Sequence, residues 1–429
     1  MAMSSGMKIA IIGSGIAGNV VAHRLQREHE ITVFEAAAHI GGHTHTHEID
    51  LDGERLAIDT GFIVFNDWTY PNFIALLDEL GVESQASAMS FSVRNEASGL
   101  EYNGTTLNTL FAQRSNLLRP SFHRMLRDIM RFNREAPALL ESTSDVGLGE
   151  YLAAQGYSRE FIGDYLMPMG AAIWSTDPTR MLAFPARFFV RFFHNHGMLS
   201  VNARPQWRAI RGGSARYVDK LVAPFRQRIR LNTPVEAVRR LQDRVLVKAR
   251  GTEAERFDQV FFACHSDQAL NLLADATPLE REILGAIPYQ ENEVVLHTDT
   301  ALLPRARRAW AAWNYHVVSG QQERAALTYN MNILQSLQTR TTVCVTLNHS
   351  EHIAPAKIIK RLSCQHPLYT PAGVAAQQRQ REINGVQRSY YCGAYWRFGF
   401  HEDGVVSALN ALEHFGAADH AQRDLSRVA

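Results

Sequence analysis

The sequence predicts an α/β fold with a parallel β-sheet, and three observations support this prediction. Residues 8–12 form an apolar run that leads into a glycine-rich turn. An amphipathic stretch over residues 16–26 and a second apolar run ending at Glu35 follow, which is the order of strand, helix and strand in a βαβ unit. The chain of 429 residues is too long for one simple core, so we expect a second domain interleaved with the first.

The composition argues against several classes of protein. Lys and Arg total 44 against 43 for Asp and Glu, giving a formal net charge of +1, so bulk charge does not indicate a nucleic-acid partner. No apolar run approaches the roughly 18 residues of a membrane span, and the N-terminal apolar run leads into the glycine turn without a signal-peptide cleavage site. Cys264, Cys344, Cys364 and Cys392 form no C-x-x-C pair, as expected for reduced thiols. We therefore expect a cytoplasmic protein.

The glycine turn has the G-x-G-x-x-G spacing of a Rossmann-like dinucleotide-binding site. Gly13 permits the tight turn, Gly15 lets the backbone approach a pyrophosphate, and Gly18 lets helix and strand pack closely. Backbone N–H groups at the helix N-terminus then bind the anion. Glu35 lies 20 residues after Gly15, where a carboxylate accepts hydrogen bonds from ribose hydroxyls and repels the 2′-phosphate of NADP. The predicted contacts of this unit are Gly13, Gly15, Ile16, Ala17, Gly18 and Glu35.

The segment after Glu35, "AAAHIGGHTHTHEIDLDGERLAIDTGF", resembles flavoproteins of the amine oxidase, phytoene desaturase and protoporphyrinogen oxidase superfamily. That family has an E-x(5)-G-G pattern, then a strand hairpin, for which "DLDG" supplies the turn here, and then a D-x-G turn. The paired glycines let the backbone pass close to the cofactor. The family usually has arginine where this chain has His43, and a mostly neutral histidine does not form the same ion pair with a phosphate. The resemblance implies cofactor contacts from Gly41, Gly42, His43, Asp59, Thr60 and Gly61.

Four later stretches resemble motifs of the same family. "IRGGSARYVDKL" is similar to its glycine pair leading into a helix, and "LNTPVEAVRR" is similar to a segment whose valine backbone contacts adenine. "FDQVFFACHSDQAL" resembles an apolar strand that ends near the cofactor. "YYCGAYWRFGFHEDGVVSALNALEHF" resembles the C-terminal motif, in which one glycine reaches the pyrophosphate and a second opens a helix that faces the flavin and stabilises its reduced form. The implied contacts are Val235, Ala263, Gly393, Gly404, Val405 and Val406.

The resemblance implies one FAD rather than NAD, since no second G-x-G-x-x-G appears. Cys364 lies one residue from the position at which some relatives attach FAD covalently, so we expect non-covalent FAD and an ordinary thiol. The motifs predict a discontinuous, Rossmann-like FAD-binding domain at residues 1–85, 205–270 and 385–429. The predicted α+β substrate domain, with a mixed sheet and a helical insertion, comprises residues 86–204 and 271–384.

The inserted segments are rich in aromatic residues. Between residues 165 and 199, Phe184, Phe188 and Phe192 recur every four positions, as in an amphipathic helix with an aromatic face. Such a face packs in the domain core, lines a site for a long apolar substrate, or contacts a membrane. We expect a small hydrophobic substrate, and peripheral contact with the inner face of the membrane stays open, as does the oligomeric state.

Two comparisons bear on the reaction. Amine oxidases have an aromatic pair facing the flavin, and the resemblance aligns Phe400 with one member but His366 with the other. Many also have a lysine near flavin N5, whereas "QENEVVLHTD" has Asn292 and Glu293 there. These departures argue against simple amine oxidation. We expect Phe400, His366 and His401 near the flavin, with either histidine as a proton acceptor.

The first hypothesis is a FAD-dependent oxidoreductase that moves a hydride between an unsaturated, lipid-like substrate and flavin N5. The outcome would be desaturation or double-bond isomerisation. Two alternatives stay open, namely oxidation of an amine with production of hydrogen peroxide, and a flavin-binding accessory protein without turnover.

The stretch from His43 to His47 raises the question of a metal. His43, His45 and His47 alternate with threonines, so on a β-strand all three imidazoles would lie on one face, an arrangement found in metal sites. A metal needs a third or fourth ligand in a suitable place, and Glu48 and Asp50 would point to the opposite face. We therefore predict no metal.

Overall fold

The computed structural model of the chain describes residues 6–142, 146–200, 202, 204–319 and 324–428, with the exception of the side chains at 178 and 418–428. The strands are β1 Lys8–Ile12, β2 Glu30–Phe34, β3 Thr46–Leu51, β4 Glu54–Asp59, β5 Val64–Asn66, β6 Ser84–Ala86, β7 Phe91–Asn95, β8 Leu100–Asn103, β9 Trp207–Ile210, β10 Ile229–Arg230, β11 Val235–Arg240, β12 Val245–Ala249, β13 Glu255–Phe257, β14 Gln259–Phe262, β15 Tyr289–His297, β16 Trp313–Val317, β17 Ala326–Asn330, β18 Cys344–Leu347, β19 Ile358–Pro367 and β20 Ser389–Tyr391. The α-helices are α1 Ile16–Leu25, α2 Pro71–Glu79, α3 Leu107–Leu110, α4 Pro120–Glu135, α5 Leu148–Ala154, α6 Arg159–Phe161, α7 Met167–Trp174, α8 Pro178–Met181, α9 Ala186–Asn195, α10 Ala215–Val222, α11 Ser266–Leu272, α12 Pro278–Gly285, α13 Met331–Leu334, α14 Pro371–Gln377, α15 Gln380–Ile383 and α16 His401–Val428.

The sheet predicted from the N-terminal βαβ unit is present, and all of its strands run parallel. Their order is β10, β2, β1, β14 and β20. Residues 9–12 of the central strand β1 are all buried, as expected for a strand covered on both faces. The helix α1 begins at Ile16, as predicted. The strands of this sheet come from three separate stretches of the chain, and the exact division into domains stays a prediction.

A second sheet has seven strands in the order β19, β15, β18, β17, β16, β7 and β8. Neighbouring strands are antiparallel, except that β7 and β16 run parallel. The strands expected around Trp313 and Tyr329 are β16 and β17, and they pair with each other. Helices α4 to α9 pack against this sheet through a largely aromatic core.

The aromatic segment predicted as a helix forms α9, and its phenylalanines lie in the core. Phe189 and Phe193 are buried and stack on each other with ring centroids 4.3 Å apart. Phe188 is half-buried and stacks on Tyr369 at 4.9 Å. The alternative that this aromatic face contacts a membrane is therefore wrong. None of the described helices is long and apolar enough to cross a membrane.

The strands β3 and β4 form the predicted hairpin. Asp52 and Gly53 at its turn have φ of 55° and 80°, the type I′ geometry that aspartate and glycine favour. The strand β3 begins only at Thr46, so His43 lies in a turn before the strand. The expectation that the three alternating histidines share one strand face is therefore wrong for His43.

Candidate active site

In the glycine turn between β1 and α1, two of the three glycines leave no room for a Cβ atom, whereas the third leaves room for one. A Cβ atom at Gly13, where φ is 105°, would lie 2.5 Å from a neighbouring carbonyl oxygen, and one at Gly18 would lie 2.0 Å from the Gly13 carbonyl oxygen. A Cβ atom at Gly15, the N-cap of α1, would meet no atom within 4 Å. Within the described chain, the N–H groups of Ile16 and Ala17 have no hydrogen-bond acceptor. Open space before free N–H groups fits the predicted pyrophosphate.

The carboxylate of Glu35 is buried beside this turn. It accepts hydrogen bonds from the N–H and Oγ of Ser14, at 2.8 and 2.6 Å, and from the N–H of Ala37 at 2.8 Å. Among the described residues Oε1 accepts only the last of these, so it retains capacity for a ribose hydroxyl. The N–H of Thr233 donates to the Glu35 carbonyl at 2.8 Å, which brings Val235, at the start of β11, to the side on which the adenosine is predicted.

The second glycine turn packs directly on the first. A Cβ atom at Gly42, where φ is 59°, would lie 3.1 Å from the Cα atom of Gly15. The N–H of Gly41 donates to a carbonyl of the first turn at 3.0 Å. Ala263, just after β14, donates its N–H to the Ile12 carbonyl at 2.8 Å. Both glycine turns and the end of β14 therefore lie next to the open space before Gly15.

Asp59, predicted as a cofactor contact, is a buried carboxylate bonded to protein groups. It accepts hydrogen bonds from the N–H and Oγ of Ser214, at 2.9 and 3.0 Å, from Nε2 of Gln335 at 3.1 Å, and from the Thr46 hydroxyl. Burial raises its pKa from 3.8 to about 6. The carboxylate connects the hairpin to α10 and to the segment after α13, so we infer a positioning role instead of direct contact.

Thr60 and Gly61 position the turn at His43. The Thr60 hydroxyl donates to the His45 carbonyl at 3.1 Å, and the N–H of Phe62 donates to the His43 carbonyl at 2.9 Å. A Cβ atom at Gly61 would lie 2.0 Å from the His43 carbonyl oxygen, so the backbone approaches too closely for any other residue. These contacts determine where the His43 ring lies.

The C-terminal motif brings a second helix N-terminus to the same place. The helix α16 begins at His401, three residues before the predicted start at Gly404, so Gly404 lies in its first turn. A Cβ atom at Gly404 would lie 2.6 Å from Cγ2 of Ile16. The first turns of α1 and α16 therefore pack against each other.

The other predicted contacts of this motif lie around that junction. Gly393, two residues after β20, donates its N–H to Oγ of Ser407 in α16 at 2.8 Å. Val405 is buried in the core that α16 shares with α1, and Val406 is half-buried. Direct contact of these residues with the cofactor stays a prediction.

His401, predicted as a proton acceptor, is a buried residue of the core. Its ring stacks on Phe62 with centroids 3.6 Å apart, and its Nε2 is bonded to the Tyr217 hydroxyl at 2.6 Å and to Oγ1 of Thr44 at 3.2 Å. Burial lowers its pKa from 6.5 to about 3. Burial and the bonding of Nε2 disfavour proton transfer from a substrate to this ring, and the catalytic role of His401 stays a prediction.

The variant His401→Phe distinguishes a structural role of this residue from a role in catalysis. We expect the free energy of unfolding to fall by about 1 to 3 kcal/mol, because the buried Tyr217 hydroxyl loses a partner. Flavin reduction at saturating substrate should change by less than about threefold. Thermal unfolding and anaerobic flavin reduction on one preparation measure both quantities. Loss of reduction by about 100-fold with FAD still bound would support the catalytic role.

Phe400 and His366, which the resemblance aligns with the aromatic pair of amine oxidases, have different ring neighbours. The Phe400 ring packs against Phe192 and His196 at centroid distances of 5.2 and 6.1 Å. Its N–H donates to Oδ2 of Asp403 at 2.9 Å. Across the described residues, no ring contact joins Phe400 to His366.

His366 belongs to a cluster of three histidines from separate parts of the chain, His43, His265 and His366, which we call the histidine cluster. The His43 ring lies 5.7 Å from that of His366 on β19 and 6.0 Å from that of His265, just before α11. Nε2 of His43 is 3.2 Å from the Gln365 carbonyl. The His43 side chain is solvent-accessible, although dense protein surroundings lower its pKa.

The imidazoles of the histidine cluster are neutral at pH 7. Burial is the main cause that lowers the pKa of His366 to about 3 and that of His265 to about 4, and neighbouring histidines lower both further. Among the described residues, no carboxylate hydrogen-bonds to any of the three rings. Nδ2 of Asn292 on β15 donates to Nδ1 of His366 at 3.2 Å, so the ring proton of His366 lies on Nε2.

Cys364 extends the histidine cluster. Its Sγ is 3.8 Å from Nε2 of His366, and one ligand atom each from His43, Cys364 and His366 lies within 4.8 Å of the others. The sequence argument against a metal considered only Glu48 and Asp50, so it missed these groups on β19. Burial raises the pKa of Cys364 to about 11, which opposes the thiolate that a metal requires. The expectation of no metal stays a prediction.

Two glycine turns, an acidic side chain after β2 and two helix N-termini meet at one end of a parallel sheet, an arrangement that defines a dinucleotide-dependent oxidoreductase. A family model described as flavin containing amine oxidoreductase matches residues 16–308. The chain belongs to this family, and FAD is its cofactor. The open space before Gly15 and the free N–H groups of α1 fit the pyrophosphate of FAD.

Solved structures share this fold. Cyclohexylamine oxidase from Brevibacterium oxydans IH-35A has a TM-score of 0.70 at 15% sequence identity, covering 97% of this chain and 100% of that one. Putrescine oxidase bound to putrescine has a TM-score of 0.64 at 15% identity, covering 96% and 99%. A CLA-producing fatty acid isomerase from P. acnes has a TM-score of 0.64 at 15% identity, covering 97% and 99%. Among curated proteins, no sequence matches this chain significantly. The predicted fold class is confirmed.

Proposed function

We propose that the chain moves a hydride between an unsaturated, lipid-like substrate and FAD, with double-bond isomerisation as the outcome. The observation that carries this proposal is the histidine cluster, whose rings have no carboxylate partner among the described residues. When bound, FAD supplies the hydride acceptor at flavin N5. The residues of the chain bind the substrate, orient the reacting carbon and exclude water from it.

The neutral histidine cluster disfavours an amine. A simple amine has a pKa close to the value of about 10.4 for lysine and is a cation at pH 7. Moving a cation into a buried site costs free energy unless an anionic or strongly polar group pairs with it. The cluster offers no such charge, and Asn292, at the position where many amine oxidases have lysine, is bonded to His366. A neutral alkene carries no comparable cost.

Aromatic side chains between α9 and α16 suit an apolar substrate. Phe188 and Phe398 are half-buried, with ring centroids 4.9 Å apart. Phe192 packs on Phe400 at 5.2 Å, and Phe400 immediately precedes the helix predicted to face the flavin. Such walls bind an acyl or polyprenyl chain by removing its CH₂ groups from water, which contributes about 0.8 kcal/mol for each group.

The hydrogen bonds of His366 and His401, the two histidines expected as proton acceptors, favour isomerisation over desaturation. When a hydride leaves an allylic carbon, the remaining cation either loses a proton to give a desaturated product or takes the hydride back at another carbon. Proton loss needs a base. Nδ1 of His366 already accepts from Asn292, and Nε2 of His401 is bonded to Tyr217. Return of the hydride needs no base and moves the double bond.

Anaerobic mixing of the holoprotein with unsaturated fatty acids, polyprenoids and amines tests the substrate class. We expect an unsaturated lipid to bleach the visible absorbance of the flavin transiently, with recovery as the hydride returns to the substrate, and simple amines to leave it unchanged. Rapid bleaching by an amine, with hydrogen peroxide formed in air and no response to lipids, would support amine oxidation instead. A flavin spectrum that no compound changes would support the accessory protein without turnover.

A further inference from the structure

Residues 107–130 carry a concentration of exposed apolar side chains. Leu118 is 89% exposed, Leu107 is 77% exposed and Leu117 is 50% exposed. Together with Met130, they make up four of the eight large hydrophobic residues that are exposed in the described chain. Single exposed hydrophobic residues are ordinary, but a cluster of them marks a contact surface.

These side chains belong to one continuous piece of structure formed by α3, the 3₁₀ turn Arg114–Leu118 and α4. Nη2 of Arg114 donates to Oδ1 of Asn108 at 2.7 Å, which joins the turn to α3. A ring nitrogen of His123 in α4 is 2.8 Å from the Leu117 carbonyl. We define the leucine-arginine surface as the exposed residues Leu107, Arg114, Leu117, Leu118 and Arg127 together with the half-buried Arg119.

The leucine-arginine surface is also positively charged. Residues 102–127 contain four arginines and neither Asp nor Glu, although the whole chain has a formal net charge of only +1. Arg124 forms an ion pair with Glu160 at 2.7 Å. Arg114, Arg119 and Arg127 form no salt bridge with a carboxylate of the described chain. Arg114 and Arg119 donate to amide and backbone carbonyl oxygens instead, so among the described residues no carboxylate neutralises these three charges by direct contact.

We propose that the leucine-arginine surface docks the protein on a membrane that contains anionic phospholipids. Leu117 and Leu118 enter the boundary between headgroups and acyl chains, and the arginines meet the lipid phosphates. Docking would deliver a lipid-like substrate, so its purpose rests on the proposed function. The binding itself is measurable without any substrate.

Charge and exposure together distinguish a membrane from two other occupants. A second copy of the chain would bring the positive charges of two such sets of arginines face to face, which is unfavourable. A nucleic acid would pair with the arginines but leave the leucines in water. An anionic membrane provides phosphates for the arginines and an apolar layer for the leucines.

Flotation of the FAD-loaded protein with lipid vesicles tests the docking. We expect binding to vesicles of equal parts phosphatidylcholine and phosphatidylglycerol to be about tenfold tighter than to phosphatidylcholine alone at low salt. Replacing Leu117 and Leu118 together with asparagine should weaken binding by about tenfold or more. Arg114→Gln combined with Arg119→Gln should have a similar effect.

The matched controls are Leu241→Asn and Arg239→Gln, which alter an exposed leucine and an exposed arginine elsewhere. Both should bind vesicles as the unaltered protein does, and retained flavin absorbance shows that each variant is folded. Equal binding to both vesicle types, or unchanged binding of the leucine variant, would overturn the proposal. A dimer that the leucine variant dissociates, without vesicle binding, would assign the surface to a second copy. Vesicle binding without flavin bleaching by lipids would contradict the proposed substrate but not the docking.

Discussion

Replacing Gly15 with valine is expected to give a folded protein that purifies without FAD. A Cβ atom at this position meets no protein atom within 4 Å, and its φ of −67° is accessible to every residue. The valine methyl groups would occupy only the space before α1, where the pyrophosphate is predicted. We expect FAD affinity to fall by about 100-fold, equivalent to about 2.7 kcal/mol. The ratio of flavin absorbance to protein absorbance measures this loss.

Gly104→Val is the matched control, because Gly104 also lies in a turn and is open on all sides. This variant should retain FAD. Gly15→Val should unfold close to the temperature of the unaltered apoprotein, since the change at the N-cap costs only about 1 kcal/mol. Full flavin content in Gly15→Val would contradict the placement of the pyrophosphate, and global unfolding would contradict the open space at Gly15.

The variant Asp59→Ala is expected to lower the free energy of unfolding by about 2 to 4 kcal/mol at pH 5. The N–H of Ser214, Nε2 of Gln335 and the Thr46 hydroxyl would lose a shared buried acceptor. Because these groups join the cofactor hairpin to α10 and to the segment after α13, FAD content should fall as well. Denaturant unfolding of the apoprotein and flavin content of the purified protein measure the two effects.

The effect of Asp59→Ala should depend on pH. Burial raises the pKa of Asp59 to about 6 from its ordinary 3.8, so the folded state holds the proton more tightly than the unfolded state. This contribution to stability is fully present below about pH 4 and is lost as the pH rises through about 6. The difference between the two proteins should therefore narrow from pH 4 to pH 7. A difference that widens over this range would contradict the raised pKa.

Asp50→Ala provides the control for that comparison. Asp50 lies on β3 of the same hairpin, but its side chain is exposed. The change should alter the free energy of unfolding by no more than about 0.5 kcal/mol. An effect as large as that of Asp59→Ala would show that the hairpin, and not the buried carboxylate, determines the stability.

Local sequence patterns were sufficient to predict the cofactor-binding core. The apolar run of β1, the glycine spacing and the position of Glu35 depend on neighbours within one βαβ unit. The turn at Asp52 and Gly53 was predictable because its residues favour positive φ. The start of α1 at Ile16 also follows from the local glycine spacing. The βαβ unit and its parallel sheet are confirmed.

Features that depend on distant contacts could not be predicted in this way. The alternation of histidines indicated one strand face, but the strand begins only at Thr46, and the contacts of Gly61 hold His43 in a turn. His401 was predicted near the flavin because of its place in a motif, whereas Phe62 and Tyr217, far away in the sequence, enclose its ring. No periodic pattern reports such partners.

The exposed leucines also show that hydrophobicity in the sequence does not tell which apolar residues are buried. The aromatic segment of α9 was the apparent candidate for a membrane surface, yet its Phe189 and Phe193 lie in the core. Leu117 and Leu118 belong to a short 3₁₀ turn without helical periodicity, so hydrophobicity alone did not distinguish them from core residues. The sequence did contain one indication of a positively charged surface, because residues 102–127 include four arginines and neither Asp nor Glu.

The amount of product formed without an electron acceptor tests the central claim most directly. The FAD-loaded protein is incubated anaerobically with a large excess of an unsaturated fatty acid, and the product is measured against bound flavin. Isomerisation returns the hydride to the substrate, so we predict many product molecules per flavin, with unchanged mass and a shifted double bond. Desaturation would stop at one product per flavin, two hydrogens lighter, with the flavin bleached. That result, or no product beside rapid bleaching by an amine, would contradict the account.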